Sequence, residues 1–201
     1  MQKEKVELLC DIEKFARQNG YPVIVSQTQN FFKDFLKDKN FTNILEIGTC
    51  IGFSGSLMLL LQDKANLTTI ELYQEKADIA MQNFKLLGLN DRVNLIVGDA
   101  AEHIENLDMK FDLIFLDGAK GQYMRYQNTL IEKLNVGGYL IADNVLFRGW
   151  VQKDKEQIVP HRIRTMVNNL RTYLDMLDNR EDIQHQVLNV GDGISVARKL
   201  K

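Results

Sequence analysis

From residue 43 onward the chain alternates between short apolar runs and stretches with helical periodicity. The runs are NILEI (43–47), LTTIE (67–71), VNLIV (93–97), DLIFLD (112–117) and GYLIAD (138–143), and helical segments are expected near 53–64, 73–87, 100–107 and 121–134. Strands that are apolar nearly throughout need cover on both faces. Helices of this length supply it by crossing back over the sheet, so the pattern demands βαβ units and a parallel sheet. A last helix near 161–177 precedes HQVLNVGDGISVARK, which reads as two strands joined by a tight Gly-Asp-Gly turn, hence an antiparallel hairpin. The expected fold is α/β: a Rossmann-like, doubly wound, mostly parallel seven-stranded sheet with that hairpin at its C-terminal end.

Two helices are expected before the alternation begins. Residues 3–18 carry Val6, Leu9, Ile12 and Phe15 or Ala16 at helical spacing, with Gly20-Tyr21-Pro22 as the stop. Ser26 to Leu36 reads as a second helix, with Ser26 as its N-cap and Phe31, Phe32, Phe35 and Leu36 as its apolar side. No repeat or linker interrupts the 201 residues, and 45% of them are hydrophobic, so one domain over 1–201 is expected. Basic and acidic residues nearly balance, 25 against 27, which excludes a surface wholly coated for nucleic acid while permitting a local basic patch. Cys10 and Cys50 are far apart and form no metal pattern, which suits reduced thiols and a cytoplasmic location. The N-terminus is charged and amphipathic, unlike a signal peptide, and the longest apolar run, LMLLL at 57–61, is too short to span a bilayer; no membrane association is expected.

In such sheets ligands bind beyond the carboxyl ends of the strands. The first strand runs into EIGTCIGFSG, whose glycines are spaced G-x-x-x-G-x-x-G rather than as the dinucleotide fingerprint. The wider loop still lets backbone approach a ligand, and the helix behind it points free N–H groups at an anion such as a carboxylate. Glu46 beside the loop suits a cationic group and would repel a phosphate. Glu71 ends the second strand, where an acid accepts bonds from ribose hydroxyls. Gly98-Asp99-Ala100 follows the third and suits an adenine edge. A ligand with ribose, adenine, carboxylate and positive charge is S-adenosylmethionine; the alternative is a set of ordinary loop glycines and strand-end acids.

ILEIGTCIGFSG, TTIEL, VGDAAEHI, DLIFLDGAKGQY and GGYLIADNVLFRGWV resemble, in order, the motifs of class I methyltransferases, and most of all the cation-dependent O-methyltransferases that include catechol and caffeoyl-CoA enzymes and small bacterial relatives. The resemblance covers roughly residues 20–201. It implies cofactor contacts at Val25, Glu46, Gly48, Ser54, Glu71, Asp99 and Ala100, with Asp117 bordering the methionine part. Cys50 stands where the catechol enzymes have a tyrosine, which leaves that contact open. Family members are commonly homodimers. The first two helices, residues 1–40, would form part of the acceptor side.

Asp117 and Asp143 close neighbouring strands of the expected sheet, and Asn144 follows. Two carboxylates and an amide oxygen are hard ligands suited to Mg²⁺, with Mn²⁺ or Ca²⁺ as substitutes, and leave positions open for two adjacent substrate oxygens. Such a cation makes a coordinated hydroxyl more acidic, and Lys120 is placed to take its proton. The resemblance assigns the same roles: Asp117, Asp143 and Asn144 as metal ligands, Lys120 as the base. Strand-end acids facing water and a solvated loop lysine are the plainer alternatives. His103, His161 and His185 form no cluster and read as surface or partly buried residues.

The acceptor side would include LFRGWVQKDKEQIVPHRIRTMVNNLR. Between Arg148 and Arg171 it holds six basic residues against Asp154 and Glu156, with Trp150 among them. A basic strip with an aromatic suits nucleic acid; a solvated helix face with Trp150 as a lid over a small aromatic suits it equally. DNVLFRGWV, HRIRTMVNNLR and the VGDGISVARK ending look most like bacterial members that methylate 5-hydroxyuridine at the tRNA wobble position. That resemblance implies a tRNA anticodon loop as partner, with Tyr123, Arg148, Trp150, Arg162 and Arg164 as substrate residues. The O5 hydroxyl and O4 carbonyl of that base would chelate a cation as a catechol does. A small catechol or hydroxycinnamoyl acceptor is the rival, and a non-catalytic S-adenosylmethionine-binding regulator is a remote alternative with no need of Lys120 or the paired acids.

Overall fold

A computed structural model describes residues 2–118, 120–153 and 159–201. The chain divides into two compact units, Met1–His103 and Ile104–Lys201.

The first unit opens with α1 (Gln2–Gln18) and α2 (Ser26–Leu36). Helix α1 buries Leu9, Ile12 and Ala16, spaced to share one face, while Val6 and Phe15 stay exposed. Helix α2 buries Thr28, Phe32 and Leu36. Ser26 is not its N-cap. Val25 holds the extended cap position, with φ -72° and ψ 161°, and Ser26 is already helical, so no side chain caps this end.

Strands β1 (Asn43–Ile47), β2 (Asn66–Glu71) and β3 (Val93–Val97) pair in parallel, with Ile47 opposite Ile70 and Glu71 opposite Val97. Helix α3 (Phe53–Leu61) follows β1; its residues from Phe53 to Leu59 are all buried, because it packs against α1 and α2 as well as β2. It ends at Leu61, three residues before the expected stop. Gln62 turns out of the helix to receive the Phe41 amide at 2.9 Å and donate to the Leu36 carbonyl at 2.8 Å, and the Arg92 guanidinium satisfies the carbonyls of Leu59, Gln62, Asp63 and Ala65. Helices α4 (Gln74–Leu86) and α5 (Ala100–His103) complete the unit. The expected helix at 100–107 is thus one α turn followed by a 3-10 turn, Ile104–Asn106.

The second unit holds β4 (Phe111–Leu116), α6 (Tyr123–Lys133), β5 (Leu134–Ala142), α7 (His161–Asp178), β6 (Ile183–Leu188) and β7 (Ile194–Lys199). Strands β4 and β5 are parallel; β5 pairs antiparallel with β7, and β7 with β6. Strand β5 starts four residues before the expected position. Gly137, at φ 83°, and Gly138, where a Cβ would lie 2.9 Å from the Asn135 carbonyl, sit inside it, where the pairing with β4 shifts register. The expected strand begins at Gly138 and leaves Gly137 outside it; here both glycines form an irregularity within the strand. The strands order as β3-β2-β1-β4-β5-β7-β6 in a seven-stranded sheet, so the α/β, Rossmann-like, mostly parallel architecture with an antiparallel C-terminal pair is the one expected. No helix among the described residues is long and apolar enough to cross a membrane.

Candidate active site

In the first unit the candidate ligand positions lie at and beyond the carboxyl ends of β1, β2 and β3. Glu71, 6% exposed, accepts the backbone N–H of Cys50 at 2.8 Å and of Tyr73 at 3.0 Å, one on each oxygen. Two amides fix the carboxylate and leave a lone pair on each oxygen for further donors. Cys50 reaches Glu71 because its backbone is left-handed, φ 49°, and Gly48 turns the chain just before it at φ 100°. Cys50 therefore contributes through its backbone, whatever its thiol does.

Glu46 is placed differently from the expectation of an acid open to a cationic group. It is 0% exposed; one oxygen accepts the Ser54 hydroxyl at 2.5 Å and the other the Thr69 hydroxyl at 2.7 Å. Thr69 in turn meets Thr49 Oγ1 at 2.6 Å. A Cβ on Gly55 would come within 2.9 Å of the same carboxylate. Glu46 and Ser54 thus tie the glycine loop to β2. Thr69, a polar side chain inside a strand expected to be covered on both faces, carries a signal in the sequence, whereas Thr49, in the loop after β1, carries none.

Asp99 caps α5: its Oδ1 accepts the Ala101 amide at 2.9 Å, and its carbonyl accepts the amides of Glu102 and His103. Ala100 is the first residue of that helix, and the amide of Gly98 donates to the Glu71 carbonyl at 2.9 Å. His103 lies against Gly98 so closely that an added Cβ would fall 2.3 Å from its Nε2. Val25 is exposed at the start of α2.

The second unit gathers the acids and the amine. Asp117 follows the last residue of β4, and Asp143 and Asn144 follow the last of β5. The two strand ends are joined directly, since the Asp143 amide donates to the Leu116 carbonyl at 3.2 Å. Asp143 Oδ1 accepts the Asn144 amide at 2.7 Å, which holds Asn144 at φ 55°. Lys120 Nζ donates to Asn144 Oδ1 at 3.2 Å. Burial first, and then the charge of Asp143, push the Asp117 carboxyl up to about 7, with Lys120 opposing. Two carboxylates that repel each other beside an amide oxygen are a donor set that a hard divalent cation would neutralise, so these residues fit the expected metal. Among the described residues no three or more His, Cys, Asp or Glu side chains are grouped to hold a metal; the candidate set relies on Asn144 as its third donor.

Tyr123, expected as a substrate residue, faces the core. It is 0% exposed, its hydroxyl donates to the Leu116 carbonyl at 3.2 Å, and its ring meets Tyr173 edge-on at 5.4 Å. As a large aromatic at the start of α6 it serves the core.

The basic strip separates into fixed and exposed members. Arg171, on α7, donates to the carbonyls of Trp150, Val151 and Lys153 at 3.2, 3.1 and 2.6 Å, so it staples the loop. Arg164 is exposed but donates to the Val159 carbonyl at 3.2 Å. Lys153 sits 3.8 Å over the Trp150 ring. Arg148 and Arg162 are exposed. Asp154, Lys155 and Glu156 lie outside the described residues. His185 bridges Asp178 Oδ1 at 2.6 Å and Ser195 Oγ at 2.9 Å; Ser195 is fully buried, so the trio joins α7 to the hairpin and offers no exposed nucleophile.

Residues 2–200 match the model of a family described as O-methyltransferase. Among curated proteins the chain is similar to the caffeoyl-CoA O-methyltransferases of Populus kitakamiensis, at 25% identity over 94% of this chain and 82% of that one, and of Stellaria longipes, at 28% over 90% and 76%. Among solved structures it is similar to a Staphylococcus aureus protein provisionally described as a caffeoyl-CoA O-methyltransferase, with TM-score 0.86 and 30% identity over 98% of each chain. It is also similar to a Podospora anserina methyltransferase with S-adenosylhomocysteine bound, with TM-score 0.85 and 25% identity over 96% of this chain and 88% of that one.

Proposed function

The chain belongs to the O-methyltransferase family and is an S-adenosylmethionine-dependent O-methyltransferase, and from that premise we propose that it needs a divalent cation and methylates a hydroxyl that has a second oxygen beside it. The observation that carries this reading is the grouping of Asp117, Asp143, Asn144 and Lys120 at two hydrogen-bonded strand ends. Asp117, Asp143 and Asn144 would hold the cation, Mg²⁺ in the first instance. A cation held there supplies Lewis acidity that makes the acceptor hydroxyl easier to deprotonate. Lys120 takes that proton at Nζ. The acceptor oxygen then bonds to the methyl carbon as the carbon–sulfur bond breaks, leaving S-adenosylhomocysteine and no covalent enzyme intermediate. Glu71 holds the donor's ribose, Asp99 and Ala100 border its adenine, and the 48–54 loop faces its amino acid end with backbone amides.

For the acceptor we propose 5-hydroxyuridine in a tRNA anticodon loop, giving 5-methoxyuridine. Its adjacent oxygens suit a chelating site, and exposed Arg148 and Arg162 with the aromatic Trp150 suit phosphates and a splayed base. A second reading, a small catechol or hydroxycinnamoyl acceptor, draws on the caffeoyl-CoA relatives and on Arg171, whose charge is committed to the loop. The test measures methyl transfer by the purified protein to hydroxyuridine-containing tRNA and to catechol, with Mg²⁺ and with excess chelator. Transfer to tRNA that needs Mg²⁺ is expected; transfer to catechol alone selects the second reading, and undiminished transfer under chelation rejects the cation site.

A further inference from the structure

The Gly191-Asp192-Gly193 turn has no part in the chemistry described so far, yet it is bonded to the segment that follows Asn144. The Val145 amide donates to the Gly193 carbonyl at 3.0 Å and the Leu146 amide to the Asp192 carbonyl at 2.9 Å. The Arg148 amide donates to Asp192 Oδ1 at 2.6 Å. Gly193, at φ 88°, lies where a Cβ would be 2.3 Å from Leu146 Cγ, so the two segments are in contact along their backbones.

The clamped segment is strained. Asn144, Phe147 and Arg148 all have left-handed backbones, φ 55°, 45° and 55°, and Gly149 continues the run at 76°. Such conformations in residues with side chains are costly and persist where surroundings over-determine them. Asp143 Oδ1 holds the amide at the Asn144 end of the segment, and Asp192 Oδ1 holds the amide of Arg148, inside the left-handed stretch 147–149. We infer that Asp192 is a positioning residue for the acceptor site: by holding the Arg148 amide it keeps the left-handed turn at 147–149, and with it the course of the segment from Asn144, so that Asn144 Oδ1 is presented to the cation and Arg148 and Trp150 to the acceptor. The inference rests on the proposed cation site.

The test uses full-length Asp192→Ala and Asp192→Asn. The asparagine keeps an oxygen acceptor at the same reach; the alanine removes it. Mn²⁺ affinity is read by the electron paramagnetic resonance of the free ion, S-adenosylmethionine affinity by calorimetry, and catechol KM and kcat by methyl transfer. Asp192→Ala should weaken Mn²⁺ binding about 10-fold, as loss of an outer-shell partner does, and raise the acceptor KM, with S-adenosylmethionine affinity unchanged. Asp192→Asn should restore most of both. Parent-like Mn²⁺ affinity and acceptor KM in Asp192→Ala would overturn the inference, as would equal impairment of both variants. If Asp192→Ala does not fold, Asp192→Ser, too short to reach the amide, takes its place in the same comparison. A parent protein that binds no Mn²⁺ at all rejects the cation site itself, a result distinct from any difference between variants.

Discussion

Lys120 Nζ donates to Asn144 Oδ1 across 3.2 Å, which places the proposed base on one of the three proposed cation ligands. An ammonium in that position neutralises part of the charge of Asp117 and Asp143, and a bound cation would take over that role and free the amine. Lys120→Met should therefore lower methyl transfer by at least roughly 10²-fold, the low end of what a positioned base contributes. Mn²⁺ should bind the variant no worse than the parent, since a competing positive charge is gone. Single-turnover rates with direct Mn²⁺ titration separate the two effects, and a variant with the parent's rate removes Lys120 from catalysis.

Asp117 gives the site a pH signature. Its carboxyl is raised to about 7 by burial and by Asp143, against an ordinary carboxylate value in the unfolded chain. A raised group favours the fold while protonated, so its contribution is full below the ordinary carboxylate range and is lost as pH rises through 7. Without divalent cation, Tm should fall as pH rises from the ordinary carboxylate range to about 7 and level off by pH 8. Because the cation binds the ionised form, added Mg²⁺ should raise Tm more at pH 8 than at pH 6, and Asp117→Asn should flatten the dependence. Thermal scans with and without Mg²⁺ across that range check this, and equal Mg²⁺ shifts at both ends would count against Asp117 as a ligand.

Glu71 accepts two backbone amides, so its replacement has a structural side as well as a binding one. Glu71→Gln keeps one oxygen and should be the milder change. It should still weaken S-adenosylmethionine binding by about 1.5–3 kcal/mol, the value of a hydrogen bond to a charged group, with Tm little altered. Calorimetry showing the parent's affinity would take Glu71 out of the ribose contact.

Much of this arrangement was legible because apolar runs and strand-end acids are local signals. NILEI and VNLIV fall on β1 and β3 to the residue, and Asp117 and Asp143 lie just past the strands that deliver them. What escaped was set by contacts distant in sequence. Glu46 looked open to a ligand because nothing nearby in the chain announces Thr69 as its partner. Tyr123 reads as an acceptor contact because it follows the candidate residues Asp117 and Lys120 in the chain, whereas α7 supplies the Tyr173 ring that packs against it. The basic strip read as one patch; only the three carbonyls in front of Arg171 show that one of its charges belongs to the loop.

That division makes the acceptor question answerable. Arg162 is exposed on the first turn of α7, and Arg171 is spent on the carbonyls of residues 150, 151 and 153. If tRNA is the acceptor, Arg162→Ala should weaken tRNA methylation and reduce its log–log salt slope by about one unit, the signature of one lost phosphate contact, while methylation of catechol is unchanged. Arg171→Ala should act differently. It leaves three carbonyls without their donor and loosens Trp150, so it should impair both acceptors and lower Tm, with a salt slope like that of the parent. The two variants are assayed on both acceptors over a salt series. If Arg162→Ala leaves the tRNA salt slope intact, or if tRNA is not methylated at any salt concentration while catechol is, the basic strip serves the loop and not a nucleic acid, and the small-acceptor reading replaces the tRNA one.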